Sequence, residues 1–316
     1  MTEAYFEILR AGVNSTYQDF GRDLLYHIGI PFSGSMDKRN FLISNKLVEN
    51  KKTFPVIEFA LQGPLLKLKN SKVNFVITGD VNFNIIRSNS KVEKGNCYET
   101  YNLEDGEQLD IISTNRSVYG YLSVQGGYNI NPFWKSYSVN TKAKIGPNNG
   151  EKFSIGQKIY LNNIQENFKK KKINYLNSKI EFIRVLKGTN FNFFSEKAKQ
   201  IFFSREFIVS KLTDRMGMRL EGQKIENVAE ANIKSEGLIK GVIQVPPDGN
   251  PIIMLSDHGT IGGYPKIAIV ISADYDRLTQ LTPGSKIKFK SVELDEAEKL
   301  YKLYEIETHN ILSQIR

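Results

Sequence analysis

Cysteine is nearly missing from this chain of 316 residues, which has one, Cys97. One thiol excludes an intramolecular disulfide and any cysteine-rich zinc site. Histidine is scarce too: His27, His258 and His309 are scattered, which argues against a His-cluster metal site. No run approaches the ~18 consecutive apolar residues that a bilayer span requires. The first residues, MTEAYFEILRAGV, carry an acid at Glu3 and lack the apolar centre of a signal peptide. A G-x-x-x-x-G-K-[ST] loop is also lacking, so a conventional phosphate cradle is not expected. Together these absences predict a cytoplasmic protein with no membrane partner.

What is present is ordinary for a folded chain, with 40% hydrophobic and 24% charged residues. The length suggests two domains or one large one, able to bury a core without staples. Lys and Arg number 43 against 34 Asp and Glu, a net charge of +9. Such an excess can mark a nucleic-acid or acidic partner. Here the lysines are dispersed, and their one block, Lys169–Lys172, reads as a solvated linker. No basic-aromatic alternation accompanies it, so nucleic acid is not an expected partner.

Short β-branched or aromatic runs dominate: Val73–Thr78, Val118–Val124, Ile180–Leu186, Ile201–Ser210 and Ile252–Leu255. Two helices are predicted. One follows Ser35, with Met36, Ile43 and Leu47 on one face. The other runs over Leu294–Ile315, with Leu294, Ala297, Tyr301, Tyr304, Ile311 and Ile315 as its apolar stripe. The polar stretch near 164–179 divides the chain into bodies at 1–165 and 180–290, with a linker over 166–179 and a helix over 291–316. A mainly β fold with minor α, closed or barrel-like, fits this pattern.

Three stretches break the strand pattern. In Tyr17–Asp37, a Pro-x-Ser-Gly-Ser turn feeds a helix start, where Ser33 or Ser35 could cap and the free N–H groups could hold an anion. In Thr213–Glu221, an extended chain would set Asp214, Met216 and Met218 opposite Arg215 and Arg219. The richest is QVPPDGNPIIMLSDHGTIGGYPKIA, residues 244–268. It holds two tight turns, Pro246–Gly249 and Gly262–Pro265, on either side of a strand that ends in Asp257 and His258. An acid and an imidazole beside bare glycines can move protons or hold a polar substrate. With Lys266 next to them, they mark a polar site.

QDFGR with GIPFSGSMD, then TDRMGMRLEG, then the segment from Ser235 to Asp274 together resemble the biotin-dependent carboxyltransferase-like family. The similarity is collinear from about Gly12 to Phe289. The family includes the C subunit of bacterial ATP-dependent 5-oxoprolinase, the antagonist KipA and the carboxyltransferase domain of urea amidolyase. The resemblance implies two tandem cyclophilin-like β-barrel lobes, with a cleft between them, and a C-terminal helix. It further implies the B (KipI-like) and A subunits of 5-oxoprolinase as partners, and a small amide or lactam as substrate. ATP, shared with a partner chain, and a magnesium ion are compatible with it, whereas biotin is not expected on this chain. The reaction implied is ATP-driven opening of 5-oxoproline to glutamate. Alternatives are a regulatory KipA-type binder and carboxylation of urea or a related amide by carboxybiotin.

On this reading Asp248, Asp257 and Lys266 are the catalytic candidates. The two aspartates would orient the amide or a metal-bound phosphate, while Lys266 and Arg215 would offset phosphoryl charge. Ser33, Ser35, Gln244, Gly249, His258, Thr260, Gly262, Gly263 and Tyr264 are the remaining substrate-binding candidates. Two departures from the family pattern stand out: Leu24 where it usually has glycine, and Ile261 where it usually has threonine.

Overall fold

The computed structural model describes residues 3–162, 170–175, 181–226 and 233–315. The chain divides into two compact units. Met1–Arg22, Ser33–Leu176 and Thr308–Arg316 form the first, and Asp23–Phe32 with Asn177–Glu307 form the second.

The first unit carries β1 (Tyr5–Arg10), β2 (Thr16–Gln18), α1 (Lys38–Leu47), β3 (Val56–Ala60), β4 (Leu65–Lys69), β5 (Val73–Thr78) and β6 (Val81–Ile86). It continues with β7 (Val92–Lys94), β8 (Thr100–Leu103), β9 (Gln108–Thr114), β10 (Tyr119–Val124) and β11 (Lys158–Tyr160). Two antiparallel sheets result, in the orders β11-β1-β4-β9-β6-β7 and β2-β3-β10-β5-β8. Strands of the first sheet alternate as a one-sided sheet should. Phe6, Ile8, Leu66, Leu68, Leu109 and Ile111 are buried, while Glu7, Lys67 and Asp110 between them are not. β5 and β10 of the second sheet are buried at every residue, so their sequences read as runs. Phe75, Ile77 and Leu122 join the core shared with the first sheet, and Val76 packs with Ile43 and Leu47 of α1. Each such fully buried side chain contributes about 1.5–3 kcal/mol of transfer free energy.

α1 begins close to where its sequence predicts, but with a different cap. Asp37, not Ser33 or Ser35, accepts the Asn40 backbone N–H at 2.9 Å. Met36 N–H donates to Glu58 Oε2 at 2.8 Å and Asp37 N–H to the Tyr121 hydroxyl at 2.7 Å. Two buried carboxylates thus stand at this helix start, where an anion would meet like charge. The lysine block also differs from expectation. Lys170 and Lys172 pair with Glu99 at 2.7 and 3.6 Å, Lys171 pairs with Glu49 at 2.7 Å, and Ile173 joins the cluster beneath α1. The described part of 166–179 is therefore fastened to the first unit; 166–169 and 176–179 lie outside the described residues.

The second unit carries β12 (Ile183–Lys187), α2 (Glu196–Ser204), β13 (Phe207–Val209), β14 (Gly217–Glu221), β15 (Glu236–Gly237), β16 (Val242–Gln244) and β17 (Ile252–Met254). After these come β18 (Ile261–Gly262), β19 (Lys266–Val270), α3 (Ser272–Thr279), β20 (Lys286–Ile287), β21 (Phe289–Ser291) and α4 (Leu294–Gln314), whose last residues belong to the first unit. Eight strands form one sheet in the order β20-β13-β14-β17-β16-β19-β12-β21, and β15 pairs with β18 beside it. The two end strands are consecutive in the chain, separated only by Lys288, so the sheet curls into a nearly closed barrel. The mainly β architecture expected from the sequence is the one observed.

Two local expectations change. Ile201–Ser210 is not one strand: its first four residues finish α2, which Ser195 caps by accepting the Ala198 N–H at 3.1 Å. Phe202 then stacks on Phe289 with centroids 4.4 Å apart, a tertiary contact that rewards helix over strand. In α4, Ala297 and Tyr304 are buried, as is Ile315 just past its end, whereas Leu294 and Tyr301 of the expected stripe are exposed. Among the described residues no helix is long and apolar enough to cross a membrane.

Candidate functional site

Ser33 and Ser35 lie in the first unit, in a buried polar knot. Ser33 holds a left-handed φ of +60° and accepts a hydrogen bond from Asn140 Nδ2 at 3.2 Å. Ser35 N–H donates to the Asp19 carbonyl at 2.9 Å. The Asp19 carboxylate is the hub, accepting from Ser136 Oγ and Tyr137 N at 2.7 Å and from Ser138 Oγ at 2.5 Å. Arg22 donates to the Ser138 carbonyl. QDFGR and PFSGS are therefore locked to 136–140, a stretch (SYSVN) with no local pattern that singles it out. A buried acid that accepts several hydrogen bonds from its own chain makes this a brace.

The other candidates fall in the second unit, in three groups. At the tip of the β16–β17 connection, Gly249 takes a left-handed φ of +75° and its N–H donates to the Pro246 carbonyl at 3.0 Å. Asp248 is exposed there and accepts from Asn250 N and Nδ2 at 3.1 and 3.0 Å. Burial alone raises its pKa, but the Asn250 bonds, with Lys224 and Arg219 nearby, outweigh that and hold the carboxyl below its ordinary value.

The opposite end of β17 leads into the second group. Arg215 Nε and Nη2 reach Asp257 at 2.8 and 3.1 Å, and both side chains are buried. This forked pair is the strong form of an ion pair, and the Asp257 N–H to Arg215 carbonyl bond at 2.8 Å reinforces it. The segment expected to be extended over 213–221 is a turn up to Met216, which is how Arg215 reaches inward. His258 Nδ1–H donates to the Gly259 carbonyl at 2.6 Å, leaving Nε2 without the proton in the neutral ring. Burial lowers its pKa below the usual 6.5, and Lys240 adds to the effect against the Gly259 bond and Asp257. The ring faces Tyr26 with centroids 6.0 Å apart. Tyr26 donates to the Leu238 carbonyl, and burial pushes its hydroxyl up to about 12.

Lys266 centres the third group. It stands opposite Gln244 across the β16–β19 ladder. Its side chain is only 3% exposed, and Nζ meets Glu236 Oε2 at 2.8 Å; the Glu236 side chain is 45% exposed. The Lys266 bond, with a lesser one from Asn190, pulls the Glu236 pKa below its ordinary value. Asn190 Oδ1 also accepts the Lys266 backbone N–H at 3.1 Å. Gln244 Nε2 donates to the Tyr264 carbonyl at 3.1 Å, and a Cβ on Gly262 would sit 2.7 Å from that nitrogen. A side chain there would push the Gln244 amide and the Leu238 methyl aside. Gly263 accepts from Ile233 N–H at 2.8 Å, and Thr260 accepts from Leu238 N–H at 2.9 Å.

The structure thus gathers Gln244, Gly262, Gly263, Tyr264 and Lys266, and sets Arg215, Asp257 and His258 in a second group. Asp248 and Gly249 stand beyond the other end of β17. Glu236 and Asn190 were missed from sequence. A glutamate at the start of SEGLIKG was the signal available for the first; Asn190 had none. Leu24 has φ +65° with its side chain 84% exposed, a conformation that favours glycine and accounts for the residue usual at that position. Among the described residues no group of three His, Cys, Asp or Glu is placed to hold a metal ion.

Residues 28–291 match the family described as carboxyltransferase domain, subdomain A and B. The chain is 34% identical to the 5-oxoprolinase C subunit of Haemophilus influenzae, covering 98% of this chain and 97% of that protein. It is 30% identical to the 5-oxoprolinase C subunit of Escherichia coli over 93% of each. In fold it is similar to the crystal structure of K. lactis urea amidolyase, with a TM-score of 0.88 at 24% identity. That match covers 98% of this chain and 20% of the larger one.

Proposed function

The chain belongs to the family of carboxyltransferase domains built from subdomains A and B, and from that premise we propose that it serves as the C-type subunit of an ATP-dependent 5-oxoprolinase in the cytoplasm. The observation that carries this reading is near end-to-end similarity to two proteins of that name. A lactam is a stable amide, so opening it in water calls for activation of its oxygen, and phosphorylation by ATP supplies that. The partners would be a B-type subunit for the activation and an A-type subunit to complete ring opening.

Within that reading, the buried Lys266 ammonium is the group that meets negative charge on the substrate. Asp248, kept ionised at an exposed turn, is the acceptor for a substrate N–H. Asp257 and Arg215 engage each other in a fork, so their part is to fix the strand end that carries His258. Gly249, Gly262 and Gly263 let backbone approach the ligand. The nucleotide and a magnesium ion on its phosphates would be shared with a partner chain, since magnesium keeps several waters and takes one or two carboxylates beside the phosphates.

Co-expression with candidate A-type and B-type subunits tests the proposal. The expected result is 5-oxoproline-dependent ADP release with matching glutamate formation, lost in Asp248→Ala while the subunits still associate. No turnover with all three subunits present would sink the reading. Full turnover by the variant would move the site away from Asp248. The family description itself favours a second reading, carboxylation of urea or a related amide, with biotin supplied on another chain. Carboxybiotin and urea in the same assay separate the two, and a KipA-type binder would associate with its partner without either activity.

A further inference from the structure

Lys266 and Glu236 form an unequal pair. The ammonium is fixed and buried, whereas the carboxylate arrives from outside, on a side chain 45% exposed. Glu236 is also carried by a short element, flanked by the Ile233 N–H to Gly263 and Leu238 N–H to Thr260 bonds. β15 has two residues, and its ladder is the two-residue pairing Glu236 with Gly262 and Gly237 with Ile261. Against this, β19 sits inside the eight-stranded sheet between β16 and β12. The cation belongs to the rigid body of the unit and the anion to a short flap. An isolated buried ammonium is costly, so some carboxylate must neutralise it, but nothing requires that carboxylate to come from this chain.

The geometry points to Lys266 as the seat of a small monocarboxylate ligand, with Glu236 its internal occupant when no ligand is bound. The inference rests on the 5-oxoprolinase reading only in naming the ligand. 5-Oxoproline carries one carboxylate besides its lactam, whereas urea carries none. One ammonium and the Asn190 amide suit a monoanion, since a phosphate dianion would leave a charge unmatched. Entry of the ligand would exchange one Nζ–carboxylate bond for another and swing Glu236 into water, where a carboxylate is well solvated. The ligand then competes with a tethered group, and its apparent affinity is lowered by the fraction of time Glu236 holds the seat.

Glu236→Gln in the full chain tests this by calorimetric titration with four probes: L-5-oxoproline, cyclopentanecarboxylate, uncharged pyrrolidinone and inorganic phosphate. If Glu236 fills the seat nine-tenths of the time, both carboxylates bind about tenfold tighter to the variant and pyrrolidinone is unchanged. Lys266→Met added to the variant abolishes the gain. Unchanged or weaker carboxylate binding in Glu236→Gln overturns the inference, as does a gain confined to phosphate. A gain for cyclopentanecarboxylate with 5-oxoproline no better than it upholds the seat and counts against the 5-oxoproline reading. Should the variant not fold, hydrogen exchange in the wild type decides. Saturating 5-oxoproline or cyclopentanecarboxylate should speed exchange in β15, and slowed or unchanged exchange there rejects the displaced-flap idea.

Discussion

At the scale of single residues, the histidine is the clearest case of environment setting chemistry. His258 is held neutral by burial, with its pKa below 6.5. Between that lowered value and 6.5 the unfolded chain binds a proton that the folded one does not, so stability rises with pH across this window. The contribution is full above about pH 6.5 and is lost as pH falls through the folded pKa. Denaturant melts of wild type and His258→Gln between pH 7.5 and 5 should therefore converge on acidification, with the variant's dependence the flatter. Parallel curves would show that the imidazole is not held neutral. Arg215 and Asp257 illustrate a different point. Neither residue alone in the sequence announces a partner 42 positions away, yet their fork is what seats the strand end.

At the scale of elements, caps and flaps divide the labour. The start of α1 depends on Asp37, which satisfies the Asn40 N–H and also accepts from Asn40 Nδ2 at 2.7 Å. Asp37→Ala should cost about 1–2 kcal/mol in equilibrium unfolding, the upper part of the range for a lost N-cap. Ser35→Ala should cost much less, because no cap bond depends on it. Equal losses would return the cap to the serines. That a helix follows Ser35 was legible, since Met36, Ile43 and Leu47 recur at helical spacing and all three are buried. Which residue caps it was not, because Ser33, Ser35 and Asp37 are all competent by type and only the packing on Glu58 and Tyr121 chooses. β15 was not legible either. Two residues show no period, and the element exists because β18 lies beside it.

At the scale of the whole molecule, each unit has its own core and its own close-packed glycines. A Cβ on Gly95 would lie 2.0 Å from the Phe83 ring in the first unit, and one on Gly188 would lie 2.2 Å from the Lys266 carbonyl oxygen in the second. Either Gly→Ala change overpacks its surroundings, at a cost of about 1–3 kcal/mol. Hydrogen exchange followed by mass spectrometry should show protection falling first in β6 and β9 for Gly95→Ala, and in β12 and β19 for Gly188→Ala. Equal losses in both units from either change would contradict separate cores.

The sequence by itself determined the β-rich character, the two helices at Ser35 and Leu294, and the stretch 244–268 as the place to look. Those features are written in neighbouring residues: alternation, runs, turn-forming Pro-Asp-Gly and Gly-Gly. Tertiary structure alone decided which of the polar side chains there face one another. It gave Asp257 to Arg215, Lys266 to Glu236 and the helix start to Asp37. Pairings of this kind are set by how strands far apart in the chain are brought into register, and no local spacing records that.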